Sequence, residues 1–154
     1  YVSRNIDVDT SCGYKYKNAT IPKKHIIFNE INLNWKKPLT IVEGPFDLMK
    51  CDWNSTCILG SLLSEKSALF KKIIENKTPI LLGLDHDATY KTHDIAKKLS
   101  FYDCKVSIIS TDSIKDIGSL QREQFIYLKN NATPWSPSDR LKLMISSIKS
   151  GSII

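Results

Sequence analysis

Nine residues, Leu39-Thr40-Ile41-Val42-Glu43-Gly44-Pro45-Phe46-Asp47, leave this chain few ways to fold. Four apolar or β-branched residues in a row read as a buried strand. A carboxylate closes the run, and a Gly-Pro turn follows that opens a helix carrying Asp47. In open α/β sheets, ligands bind just outside the carboxyl ends of the strands. Glu43 therefore stands where chemistry is usually done. A second run, Pro79-Ile80-Leu81-Leu82-Gly83-Leu84, ends the same way, in Asp85-His86-Asp87. Two strands ending in acids point to one acidic site.

The pattern around these runs is regular. A short helix is expected around Phe46–Cys51, a second strand over Thr56-Cys57-Ile58-Leu59, and a Gly60-Ser61 turn after it. Ser64 is the expected N-cap of a helix with Leu69, Phe70, Ile73 and Ile74 on its apolar face. After strand Ile80–Leu84 comes a helix near Thr92–Ser100 with Ile95, Ala96 and Leu99 inward, then a fourth strand, Cys104–Ser110. Asp112–Gly118 reads as a loop and Leu120 to Leu128 as a helix; Ala132–Pro137 breaks the chain before a last helix at Ser138–Lys149. Strands alternating with helices of this length predict an α/β fold with a parallel-type sheet. The stripe Leu141, Met144, Ile145 and Ile148 packs either on the domain or on a neighbour.

A length of 154 residues gives one domain with a core and room for a small appendage. The expected divisions are a basic segment over 1–37, a domain over 38–130, and a linker and helix over 131–154. A chain that starts at Tyr1 is expected to be a piece of a longer polypeptide. No apolar run reaches membrane-spanning length, and no signal-peptide pattern opens the sequence. Cys12, Cys51, Cys57 and Cys104 contain no C-x-x-C pair and lack His partners at zinc spacing. A reducing, cytoplasmic setting follows as the expectation, with neither disulfides nor zinc in this chain. The net charge of +6 favours an anionic partner, with nucleic acid first among them. Lys15-Tyr16-Lys17-Asn18 and Ile21-Pro22-Lys23-Lys24 set cations beside aromatic residues, as a phosphate- and base-binding stretch would and as an ordinary solvated loop also would.

Side chains two apart in an extended chain point the same way, so Asp85 and Asp87 are expected to converge. Without an intervening Lys or Arg the pair would repel unless a cation lay between. Hard oxygen ligands of this kind suit Mg²⁺, with Mn²⁺ as a substitute. Asp87 could equally cap the helix that follows. Asp116, after the fourth strand, would stand on the same rim or cap a turn. His86 and His93 have no partner at helical ligand spacing and read as loop and helix-surface residues.

Glu43-Gly44, the Gly60-Ser61 turn and Asp85-x-Asp87 resemble, in order and spacing, the Toprim domain shared by primases, topoisomerases and related nucleases. Glu43-Gly44-Pro45-Phe46-Asp47 looks like the Glu-Gly-x-x-Asp version found in bacterial-type and phage DNA primases. Lys15-Tyr16-Lys17-Asn18 with Pro22 and Ile27-Phe28 is similar to the primase segment ahead of Toprim, and Lys115-Asp116-Ile117-Gly118 to the acidic loop after the fourth strand. The resemblance covers about residues 4 to 128 and departs at His86 and Tyr90, where the primase pattern has glycines, and at Gly118, where many primases have a second aspartate. It implies a Rossmann-like sheet of about four mainly parallel strands flanked by helices. It also implies a nucleotidyltransferase that makes RNA primers from ribonucleotides on single-stranded DNA during replication, with a replicative helicase as a partner and no membrane. By the same resemblance Glu43, Asp85 and Asp87 are catalytic and hold Mg²⁺, Asp47 and Asp116 complete the acidic cluster, and Arg4, Lys15, Lys17, Gly60 and Ser61 meet nucleotide or template. The Lys-, Asn- and Ile-rich composition hints at a phage-encoded member, which would work in the host cytoplasm. A Toprim nuclease and a non-catalytic binding module of a replication complex remain the alternatives.

Overall fold

The computed structural model describes residues 2–4, 16–18, 22–59, 62–111, 114 and 117–149, the first two stretches as backbone. It opens on a two-stranded antiparallel ribbon, β1 (Val2–Arg4) and β2 (Tyr16–Asn18), with Ser3 opposite Lys17 and Arg4 opposite Tyr16. The main sheet is built on β3 (Leu39–Val42), whose four residues are all buried. Both faces of this strand are covered, so it carries no polar alternation. Its neighbours β4 (Ser55–Cys57) and β5 (Ile80–Gly83) run parallel to it, and β6 (Val106–Ile108) runs parallel to β5. An antiparallel edge strand, β7 (Thr133–Pro134), closes the order β4-β3-β5-β6-β7.

Helices cover both faces. On one, Leu69, Phe70 and Ile73 of α2 (Ala68–Asn76) and Ile95, Ala96 and Leu99 of α3 (Thr89–Phe101) pack with Leu39, Ile41, Ile80 and Leu82. On the other, Val42 and Cys57 meet Ile109, Ile117, Leu120 and the fully buried Phe125 of α4 (Arg122–Asn130), with Leu48 of α1 (Pro45–Leu48) alongside. α5 (Pro137–Lys149) lies on α3 and is joined to it by the Arg140–Asp94 ion pair at 2.7 Å. The α/β sheet with mainly parallel strands is the fold expected from the sequence.

One topological consequence positions the site. The chain leaves β3 for β4 on one side and leaves β5 for β6 on the other. The loops after β3 and β5 therefore diverge, and a crevice opens at their carboxyl ends.

Several local expectations change. The basic segment over 1–37 carries structure of its own, since β1 and β2 pair and the stretch from Pro22 docks on the sheet. Ile27 is buried, Phe28 O accepts from Thr56 Oγ1 at 2.7 Å, and Trp35 O accepts from Thr78 Oγ1 at 2.7 Å. The cap of α2 is Ser67, whose Oγ accepts the Phe70 N–H at 3.2 Å; Ser64 forms the turn just before it. The sheet also runs past residue 130, because Thr133–Pro134 adds to its edge, where a proline's missing N–H costs no ladder bond. On α5 the apolar residues Leu141, Ile145 and Ile148 are exposed, while Ser147 is buried. No helix among the described residues is long and apolar enough to cross a membrane.

Candidate functional site

Register brings the two acidic strand ends together. Val42 pairs with Gly83, so Glu43 follows that pair by one residue and Asp85 by two. Both stand at the mouth of the crevice. A Cβ on Gly83 would come within 2.8 Å of Ile117 Cδ1, so a larger residue there would make that side chain shift.

The turn after Glu43 is held by Asp47. Gly44 caps α1, Pro45 occupies the first helical position, and Asp47 Oδ2 accepts the Gly44 N–H at 2.8 Å. Gly44 serves here through its lack of a side chain, because a Cβ would lie 3.2 Å from that same carboxylate oxygen. Asp47 is thus tied to the geometry of the Glu43 turn. Its charge also reaches the core behind. Burial pushes the Cys57 thiol up to about 12, with Asp47 adding, and pushes Cys51 up to about 12, with Asp52 and Asp47 adding. Cys51, Cys57 and Cys104 are buried free thiols that pack as small hydrophobes.

Glu43 itself is half-buried, with its two oxygens in different circumstances. Oε1 accepts from Lys91 Nζ at 3.0 Å, across 48 residues of sequence. Oε2 is buried and has no hydrogen-bond partner. The Lys91 side chain is only 15% exposed. Sequence reasoning missed it, although a signal was there: Lys91 lies four residues before Ile95 and eight before Leu99, on the inward stripe of α3. A lysine on a buried stripe needs a partner, and Glu43 is that partner.

Asp85 and Asp87 do not stand as an extended pair. Asp85 ends the extended backbone, and a 3₁₀ turn over His86–Ala88 follows at once, closed by the Ala88 N–H on Asp85 O at 2.9 Å. The rule for side chains two apart therefore does not apply, and Asp87 is exposed while Asp85 is half-buried. Asp87 does not cap α3 either, whose first residues follow Ala88 without a side-chain cap. Beside Asp85 opens a cavity of about 230 Å³, walled by Thr89, Thr92, His93, Thr111, Trp135 and Asp139 among others. His93 Nδ1 accepts from Trp135 Nε1 at 3.0 Å, and burial holds its imidazole below the usual range. His93 is a packed residue at the edge of this cavity, not a surface one.

Among the described residues, no three of His, Cys, Asp and Glu gather into a ready-made metal cluster. Mg²⁺ does not require one: it keeps several waters and takes one or two carboxylates with the substrate's phosphates. Glu43 and Asp85, as hard oxygen donors on adjacent strand ends, fit that habit, and the partnerless buried Oε2 of Glu43 is the kind of group a cation would satisfy. Asp116, Lys15, Gly60 and Ser61 lie outside the described residues. Arg4 and Lys17 lie on the paired strands β1 and β2.

No protein-family model matches the chain, and no curated protein does. Among solved structures it is similar to the crystal structure of the Aquifex aeolicus primase comprising zinc-binding and RNA polymerase domains, with a TM-score of 0.62 at 20% sequence identity. The likeness covers 87% of this chain and 37% of that one, so the chain spans well under two thirds of that structure. At such identity the comparison shows a shared fold, an α/β sheet of mainly parallel strands flanked by helices.

Proposed function

We propose that the crevice at the ends of β3 and β5 is a Mg²⁺-dependent phosphoryl-transfer centre of the DNA-primase type, which joins ribonucleotides into RNA primers on single-stranded DNA. The observation that carries this reading is Glu43 just beyond the end of β3, at the topological switch point beside the end of β5 that leads into Asp85, with a buried carboxylate oxygen that has no hydrogen-bond partner. The primase-related fold and the net charge of +6 support it.

In this reading Glu43 and Asp85 would hold the Mg²⁺, with Asp87 on the turn beyond them and Asp116 completing the rim. An ion held there would supply charge neutralisation for the phosphorus oxygens of a nucleotide under attack by a 3′-hydroxyl. The chain's own residues do the positioning. Asp47 fixes the Gly44 turn and so aims Glu43, and the β3–β5 pairing brings the strand end that leads into Asp85 next to the one that leads into Glu43. The cavity walled by Thr89, Thr92 and Trp135 gives the nucleoside end of a nucleotide a place next to Asp85. Arg4, Lys15 and Lys17 would contact template or nucleotide phosphates, making binding steeply salt-dependent.

The test is an assay of ribonucleotides on single-stranded DNA, with and without Mg²⁺, comparing wild type with Asp85→Asn and Glu43→Gln. The readout must separate extension from cleavage. Metal-dependent oligoribonucleotides that vanish in both variants are expected. Shortened DNA instead would make the centre a nuclease, and DNA binding with no metal-dependent product would make the chain a binding module.

A further inference from the structure

The carboxylate at the centre of the proposed site already has a cation beside it. Lys91 Nζ lies 3.0 Å from Glu43 Oε1, and among the described residues it has no other hydrogen-bond or ion-pair partner. The amine does not arrive there by chance of surface mobility. Its side chain is 15% exposed, and it leaves α3 from the stripe that buries Thr92, Ile95, Ala96 and Leu99. A charge set that deep is stable only with an opposite charge in contact. Glu43 in turn is satisfied on one oxygen and left bare on the other.

We infer that Lys91 is a built-in counter-cation which holds Glu43 in place when the site carries no metal, and which competes with a divalent cation for that carboxylate. The inference rests on the proposal that Glu43 is a metal ligand. Its physical basis is charge. An ammonium and a dication cannot both sit against one half-buried carboxylate without strong repulsion, because charges a few ångströms apart interact strongly where water is scarce. Their occupancies are therefore linked, and each weakens the other by the same factor. Lysine suits such an exchange better than arginine would. It is a compact charge on a flexible four-carbon stem, so it can leave one acceptor for another without breaking a two-pronged pair. Lys91 stands one helical turn beyond Asp87, so an amine released from Glu43 stays at the crevice, where the phosphates of an incoming nucleotide would be its next partner. Lys91 is thus a positioning residue: it keeps Glu43 from turning away before the metal arrives.

The experiment measures Mn²⁺ affinity of the whole chain at fixed ionic strength, from the free-ion electron paramagnetic resonance signal, for wild type, Lys91→Met, Lys91→Arg, Lys97→Met and Asp85→Asn. Lys97 is an exposed residue of the same helix and controls for net charge. Lys91→Met is expected to bind Mn²⁺ about fivefold or more tightly than wild type, within the usual span of site-to-site coupling. Lys91→Arg, which keeps the charge and adds a two-pronged grip, should bind Mn²⁺ no more tightly than wild type, and Lys97→Met should change by less than about twofold, as an exposed charge screened by salt does. A second readout is the ¹⁵N signal of the Lys91 ammonium, which should shift on saturation with Mg²⁺. Unchanged or weaker Mn²⁺ binding in Lys91→Met, with wild-type binding that Asp85→Asn abolishes, overturns the inference and leaves the metal site standing. No Mn²⁺ binding by either wild type or Lys91→Met removes the metal site and the inference together. A Lys91→Met chain that does not fold is replaced by Lys91→Gln, to which the same outcomes apply.

Discussion

Replacing Thr40 by valine should make this protein more stable, although it removes a polar group from the middle of the sheet. Thr40 is fully buried in β3, and its Oγ1 has no hydrogen-bond partner. A buried hydroxyl left unpaired carries its desolvation cost of about 1–3 kcal/mol without return. Valine keeps the branched shape and the strand preference, and it puts a methyl group where the hydroxyl was. The expected gain is about 1–2 kcal/mol. For a chain of this size that raises the thermal midpoint by roughly 3–6 °C, and it moves the urea midpoint upward with an unchanged slope, since the surface exposed on unfolding is the same. Thr40→Ser is the control. It keeps the unpaired hydroxyl and leaves a methyl-sized void, so it should lose about 1 kcal/mol. Equilibrium urea unfolding followed by tryptophan fluorescence measures all three chains. A Thr40→Val chain less stable than wild type by 1 kcal/mol or more would refute the reasoning, because it would mean that the hydroxyl is satisfied, for example by an enclosed water.

Two further outcomes follow from single contacts. Gly44→Ala places a Cβ against Asp47 Oδ2, so the hydrogen bond that holds the Glu43 turn must lengthen; a loss of about 1 kcal/mol in urea unfolding is expected, together with a several-fold weaker Mn²⁺ affinity, and unchanged metal binding would detach Asp47 from the site. Burial alone would raise the Asp52 carboxyl, but hydrogen bonds from Lys129 and Ser55, with the Lys129 charge, outweigh it and hold it below the usual carboxylate range. A depressed carboxyl contributes stability that is present above its unfolded value near 3.9 and is lost as pH falls through the lower folded value. Wild type should therefore exceed Asp52→Asn in urea stability by about 1.5 kcal/mol at pH 6, the gap closing as the pH drops below about 4; a gap that persists at pH 2.5 would assign the effect to packing rather than charge.

What could be read from the sequence follows the physics of each element. β3 was legible to the residue because a central parallel strand is covered on both faces and so is apolar throughout. The inward face of α3 was legible because Ile95, Ala96 and Leu99 repeat at helical spacing, yet its start was not. The helix begins at Thr89, behind a 3₁₀ turn with no capping side chain to announce it. That same turn hid the relation of Asp85 to Asp87, since local spacing says where two side chains point only while the backbone stays extended. β1, β2 and β7 are two or three residues long, and their polar or proline-containing composition gives pairing no sequence signature. Glu43 and Asp85 could be placed at the carboxyl edge of the sheet because each follows a recognisable strand. Lys91 was not, because its partner lies 48 residues away and only the fold joins them.

The buried side-chain oxygens without partners among the described residues are Thr40 Oγ1 and Glu43 Oε2, three residues apart on one strand and the turn that leaves it. Their position gives them opposite meanings. Thr40 is sealed between neighbouring strands, with Ser55 opposite it on one side and Leu81 on the other, so nothing from solution can reach its hydroxyl and the lost hydrogen bond is a plain cost. Glu43 stands where the sheet ends and the loops part, with its side chain 36% exposed and a lysine on its other oxygen. There the missing partner can be supplied from outside. A saturating concentration of Mg²⁺ should accordingly stabilise wild type and Thr40→Val by the same increment and leave Glu43→Gln unmoved. The first residue changes the stability of the strand, and the second changes what the strand end can bind. Dependence of the Mg²⁺ increment on Thr40 would show that the two oxygens share one environment after all.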